Sequence, residues 1–186
     1  MRTIRYIVPA ILMMLCWKAE AQRFSISANL LDYAALGTLN ADVSYSLTRR
    51  WSLTAGARYN PFTFRKGDPE RQFQYKQQSY SAGVRMWPWH AGAGWWFAGK
   101  MRYQEYNIGG IISPETREGD RLGAGVYAGY TYMLGPHFNL EMGLGVWAGS
   151  DRYRLYSCPI CGVTLESGNE VFLLPDDIMI SLVYVF

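Results

Sequence analysis

Charge, histidine, cysteine and long apolar runs are all scarce in this chain of 186 residues. Charged residues make up only 18%, and the formal net charge is +3. A balance so close to neutral gives no argument for nucleic acid or for a strongly anionic partner. Two histidines occur, His90 and His137, and three cysteines, of which Cys16 lies near the N-terminus. A zinc ribbon needs two cysteine pairs, and only Cys158 and Cys161 are left to form one. No glycine-rich phosphate loop precedes a helix, since Gly123-Ala124-Gly125 sits in the middle of a strand pattern. Past the N-terminus no stretch of about 20 apolar residues could cross a membrane as a helix. Any residence in a membrane must therefore come from strands. No catalytic residue, metal or cofactor is expected.

The first 21 residues read as a cleaved secretory signal. Arg2 and Arg5 give the basic start, Ile7 to Trp17 the apolar middle, and Ala19-Glu20-Ala21 the small-residue cleavage site. Leu15 before Cys16 is too large for a usual lipobox, so lipidation is not the expectation. The mature chain then runs over residues 22–186 as one domain, with 15 basic and 14 acidic residues and a net charge of +1.

Aromatic residues are abundant at 16%, and there are 19 glycines. Most of the mature chain alternates apolar and polar residues with the period of a β-strand. Phe24 to Leu30, Leu39 to Leu47 and Trp51 to Asn60 open the series. Gln78 to Trp87, Trp95 to Tyr106, Asp120 to Met133 and Phe138 to Ala148 continue it, and Asp177 to Phe186 closes it. In the third, Trp51, Leu53, Ala55, Ala57 and Tyr59 share one face, and Ser52, Thr54, Gly56, Arg58 and Asn60 share the other.

The connections alternate in length. Thr48-Arg49-Arg50, Pro88 to Gly94 and Gly135-Pro136-His137 are short turns, whereas Pro61–Gln77, Asn107–Glu118 and Gly149–Asp176 are long and polar. Eight strands of about 9–11 residues with alternating short and long connections predict an all-β chain. The expected fold is an eight-stranded antiparallel up-and-down transmembrane β-barrel, with short periplasmic turns and longer outer loops. A chain ending on Phe186, with Tyr184 two residues earlier, also resembles the C-terminal assembly signal of bacterial outer-membrane barrels. That resemblance implies the barrel-assembly machinery as a partner and the cell outer membrane as the location. A soluble lipocalin-like barrel shares the same alternation but turns its apolar face inward.

If the polar faces point inward, Asp42, Arg58, Arg85, Lys100, Arg102 and Glu141 share a narrow lumen. An interior of eight strands is filled by side chains, and an unpaired buried charge costs several kcal/mol. Glu141 and Asp42 are therefore expected to bridge the arginines. In Cys158-Pro-Ile-Cys161-Gly a local disulfide is the expectation for an exported protein. Metal or intermolecular use and a redox role are the alternatives. Both histidines fall in turns on the side away from the long loops. Asp151, Arg152, Glu166, Glu170, Asp176 and Asp177 fall at the outer mouth, where they read as solvated charge.

An ordered set of short motifs resembles a family of uncharacterised outer-membrane barrel proteins of the Bacteroidetes. The set begins with Asn29-Leu30-Leu31, Arg50-Trp51-Ser52-Leu53 and Arg85-Met86-Trp87. It continues through Gly123-Ala-Gly125-Val-Tyr127-Ala-Gly129-Tyr130 and Phe138-Asn139-Leu140-Glu141 with Gly143 and Gly145. Tyr153, Tyr156, Cys158-x-x-Cys161-Gly162 and Ser181-Leu182-Val183-Tyr184-Val185-Phe186 complete it. Asp32-Tyr33 reverses the family's usual Tyr-Asp order, and Leu174-Pro175-Asp176 replaces a Gly-Pro-Thr-like approach to the last strand. The resemblance implies no activity. Because some members lie near genes for surface fimbriae, it implies a surface or fimbrial protein partner. The expected function is a structural, adhesive or surface-assembly role carried by the outer loops in contact with outer-membrane lipid. A lipid- or lipopolysaccharide-modifying enzyme of the outer leaflet, or a narrow pore, is the alternative.

Overall fold

A computed structural model describes residues 23–34, 36–65, 72–110, 114–160 and 162–186, with nothing described of the Asp177 side chain. The expected signal segment therefore lies outside the described residues. Strands are β1 (Phe24–Asn29), β2 (Leu39–Ser46), β3 (Trp51–Asn60), β4 (Thr63–Phe64), β5 (Phe73–Met86), β6 (Gly94–Gly109), β7 (Thr116–Met133), β8 (Phe138–Tyr156) and β9 (Thr164–Val185). One short helix, α1 (Leu30–Ala34), joins β1 to β2.

Each strand pairs antiparallel with its sequence neighbour, and β4 only prolongs β3 past Pro61 along β5. The last strand returns to the first, with Ser25 opposite Val185 and Asn29 opposite Ser181. The sheet is thus a closed eight-stranded barrel, as the strand pattern requires. Closure removes the open edge wherever all eight strands are present.

The alternation resolves into an apolar outside and a polar inside. Val126, Leu144, Met101, Leu122 and Tyr80 stand exposed on the exterior, and the polar partners one residue away turn into the lumen. Trp95 and Trp96 show the division within one dipeptide: the first is 56% exposed and the second 0%. A soluble lipocalin-like barrel would have the opposite polarity.

Apart from the two-residue β4, the strands grow steadily from six residues in β1 to 22 in β9. The short turns lie at one end, here termed the base, and the wall rises unevenly toward the other end, the rim. Three stretches expected as long loops are shorter because the strands continue through them. β6 runs to Gly109 and β7 starts at Thr116, while β8 runs to Tyr156 and β9 starts at Thr164. In this raised wall the outward residues are as polar as the inward ones, for instance Glu105, Asp120 and Arg152. With both faces wet, the alternation that marks a strand disappears from the sequence.

Candidate functional site

The lumen is built from the base upward. Trp87, Trp96, Ala98, Tyr127 and Met179 form a buried apolar cluster near the base. Gly129 and Gly145 make room for it. A Cβ on Gly129 would lie 2.3 Å from the Trp96 ring, and one on Gly145 would lie 2.1 Å from the Tyr127 ring. Arg85 is held against this cluster, its guanidinium 4.2 Å from the Trp96 ring centroid and 5.4 Å from that of Trp87. Its Nη1 donates to both oxygens of Glu141, at 2.8 and 3.0 Å, and Thr131 Oγ1 donates to the same carboxylate at 3.1 Å. Both members of the pair are buried. Lys100 lies over the Tyr127 ring at 4.8 Å.

Higher in the lumen the pairing differs from expectation. Arg58 pairs with Asp32 of α1 at 2.9 Å and lies 3.9 Å from Asp176. Arg102 also pairs with Asp176, and Tyr127 Oη donates to Asp176 at 2.7 Å. Asp176, read from sequence as loop charge, thus takes the place expected of Asp42. Asp42 makes no ion pair with these arginines among the described residues; its carboxylate lies over Gly56, beside Ser81. The cause is the bulge between Gly143 and Gly145 in the β8–β9 register. The shifted register places Asp176 opposite Gly145, whose neighbours along β8 on the same face are inward-facing. A cavity of about 300 Å³ lies among these groups, bordered by Arg58, Arg102, Arg121, Asp32, Asp176 and Trp147.

The raised wall carries a second charged centre that the sequence did not reveal. Asp151 is 0% exposed. Tyr106 Oη donates to it at 2.8 Å, and Arg117 Nη2 and Arg121 Nε each donate at 3.0 Å. Arg117 also pairs with Glu170 and stacks over Tyr153 at 4.0 Å, while Arg121 stacks over Tyr106 at 4.0 Å. Burial, then the Asp151 hydrogen bond, pushes the Tyr106 phenol up to about 12. For Arg117, desolvation pulls the pKa down, but the Glu170 hydrogen bond and the nearby Tyr106 and Asp151 outweigh it and leave the pKa raised. The one available signal was alternation: Asp151, Tyr153 and Leu155 continue the inward series of β8.

At the closing seam Phe186 packs on Phe24 at 5.3 Å and on Tyr184 at 4.9 Å, and Tyr184 packs on Phe138 at 5.2 Å. Cys158 is buried, while Cys161 lies outside the described residues, and with it the expected bridge. His90 and His137 lie in the base turns. Among the described residues no group of three or more His, Cys, Asp or Glu could hold a metal ion.

The sequence matches the model of a family described as a protein of unknown function (DUF3575) over residues 7–186. The chain belongs to this family. No curated protein and no solved structure matches it. What the DUF3575 chain offers a partner must therefore be argued from its own surface. Its polar groups are largely spent on one another. In the lumen Asp176 accepts from Arg102 and Tyr127, and in the raised wall Asp151 and Glu170 accept from arginine while Glu166 accepts from Tyr153 at 2.7 Å.

Proposed function

We propose that this DUF3575 protein is a small outer-membrane barrel with a structural or surface-assembly role, presented outward on its raised wall. The observation that carries the reading is the polarity of the barrel, with an exposed apolar belt outside and paired charges inside. Removing such a belt from water is worth roughly 25 cal/mol per Å², and a bilayer is the solvent that accepts it all round. A closed barrel satisfies its backbone groups internally, which a bilayer demands. The aromatic seam of Tyr184 and Phe186 suits both membrane-interface anchoring and recognition by the barrel-assembly machinery. The wall above the belt faces water, where a surface or fimbrial protein partner could reach it.

Two observations weigh against the alternatives. The packed Trp87–Trp96–Arg85–Glu141 layer fills the lumen near the base, which disfavours a pore. The rim carboxylates already accept hydrogen bonds from arginine and tyrosine, which disfavours them as the base of a lipid-modifying enzyme.

The test is electrophoresis of detergent-extracted membranes, boiled and unboiled. A closed barrel that resists SDS runs faster unboiled. Recovery in the soluble fraction, with no change in mobility on boiling, would sink the membrane reading.

A further inference from the structure

The wall's two vertical margins are unequal. On one side β4 covers β5, with Thr63 opposite Gln74 and Phe64 opposite Phe73. On the other side β9 continues far past its partner. β1 stops at Asn29, opposite Ser181, whereas β9 begins at Thr164. From Thr164 to Phe172, β9 pairs with β8 alone among the described residues. Lower down the exposed margin is protected. Asn29 Oδ1 accepts from Ile180 N at 3.1 Å and from Leu31 N at 3.2 Å, which seats α1 beside β9. Among the described residues nothing comparable covers the upper stretch.

A strand margin of this kind presents a row of unpaired N–H and C=O groups. Proteins usually blunt such margins with lysine, proline or inward-pointing charge; lysine and proline do not occur between Thr164 and Leu174, and the charge there is all acidic. Instead the two faces carry a legible pattern. Val171 (87% exposed) and Leu173 (73%) point outward. Glu166 and Glu170 point inward, opposite Leu155 and Asp151 of β8; each engages one oxygen, with Tyr153 and Arg117 respectively, and each side chain stays exposed.

We propose that the upper margin of β9 is a docking site for an extended segment of a surface polypeptide, which adds to the wall as an antiparallel strand. The complementary segment has apolar residues alternating with lysine or arginine. Its apolar side meets Val171 and Leu173, and its basic side meets Glu166 and Glu170. A second copy of this chain is excluded if the membrane reading, on which this point rests, is right. Two barrels in one bilayer have the same end outward, so their β9 strands cannot run antiparallel. Related by an axis along the membrane normal, they tilt by about 35–45° in opposite senses and cross.

The test uses the full barrel in detergent micelles, first confirmed as closed by its faster unboiled band. Loss of that band would count against the barrel itself, not against the docking site. Amide hydrogen exchange is followed by NMR with and without a synthetic peptide of alternating lysine and valine. In the free barrel, every second amide from 164 to 172 should exchange rapidly while its neighbours are protected by β8. The peptide should slow that rapid set at least tenfold. N-methylation of the peptide's ladder-forming amides should abolish the effect, and replacing its lysines with glutamate should weaken binding at least tenfold. In the E166Q/E170Q variant the two peptides should bind alike. The proposal is overturned if those amides are already protected in the free barrel. It is equally overturned if the lysine peptide leaves their exchange unchanged, or if N-methylation makes no difference.

Discussion

Replacing Glu141 with alanine should destabilise the barrel more than any single change on its exterior. The carboxylate is the ionic partner of a guanidinium held against two buried indoles, with an N–O distance of 2.8 Å. Glu141→Ala leaves Arg85 charged and uncompensated in a packed layer. Breaking a buried pair from one side costs about 3–5 kcal/mol. The Thr131 hydroxyl loses its acceptor as well, worth about 1 kcal/mol. The double change Arg85→Met with Glu141→Leu removes both charges and keeps apolar volume, so it should return stability to within about 1 kcal/mol of the original. Tryptophan emission during reversible urea unfolding in micelles measures both, because Trp87 and Trp96 flank the pair. A loss below about 1 kcal/mol for Glu141→Ala would refute the reasoning, since it would mean that water solvates Arg85 in the open lumen.

Three further outcomes are expected. Gly129→Val drives a side chain into the Trp96 ring and the Met142 carbonyl oxygen, 2.3 and 2.4 Å from the added Cβ. It should cost about 1–3 kcal/mol of overpacking, read by the same unfolding assay, whereas Gly135→Ala, with open space around it, should be silent. Asp151→Ala strands Arg121 and leaves Arg117 with Glu170 alone, so amide exchange should accelerate across the wall while the base keeps its faster unboiled band. The raised Tyr106 pKa means that the folded state holds this proton more tightly than the unfolded chain. Its contribution is therefore complete below about pH 10 and is lost as pH rises toward 12. Unfolding midpoints should fall more steeply over that interval for the original protein than for Tyr106→Phe.

Where the outer face is apolar and the inner face polar, the sequence displays the barrel almost residue by residue. Trp51 to Asn60 is the clearest case, and its alternation matches the observed exposure along β3. The raised wall was hidden for a physical reason. Glu105 and Asp120 stand outside and Arg117 and Asp151 inside, so the pattern carries no hydrophobic period and reads as polar loop. The wall is held instead by cross-strand partners such as Tyr156 of β8, whose hydroxyl donates to Glu118 of β7 at 2.6 Å, and no single-sequence period encodes these. Asp176 was misread because a bulge changes the face of every residue beyond it, and nothing in Leu174-Pro175-Asp176-Asp177 marks which residue is extra. The Arg85–Glu141 pair was within reach because an inward charge must find a partner. The role of α1 in holding Arg58 through Asp32 depended on a turn whose geometry the sequence leaves open.

The outward apolar belt is tested most directly by the neighbours Trp95 and Trp96, which point to opposite sides of one strand. Two variants, each retaining one of these as the sole tryptophan, would be reconstituted in vesicles of lipid brominated near the headgroup end of the acyl chain. Trp95 emission should be strongly quenched by the brominated lipid and Trp96 emission should not. Quenching of neither by lipid, with Trp95 open to a water-soluble quencher instead, would contradict the membrane barrel and leave the exposed belt to be covered by protein.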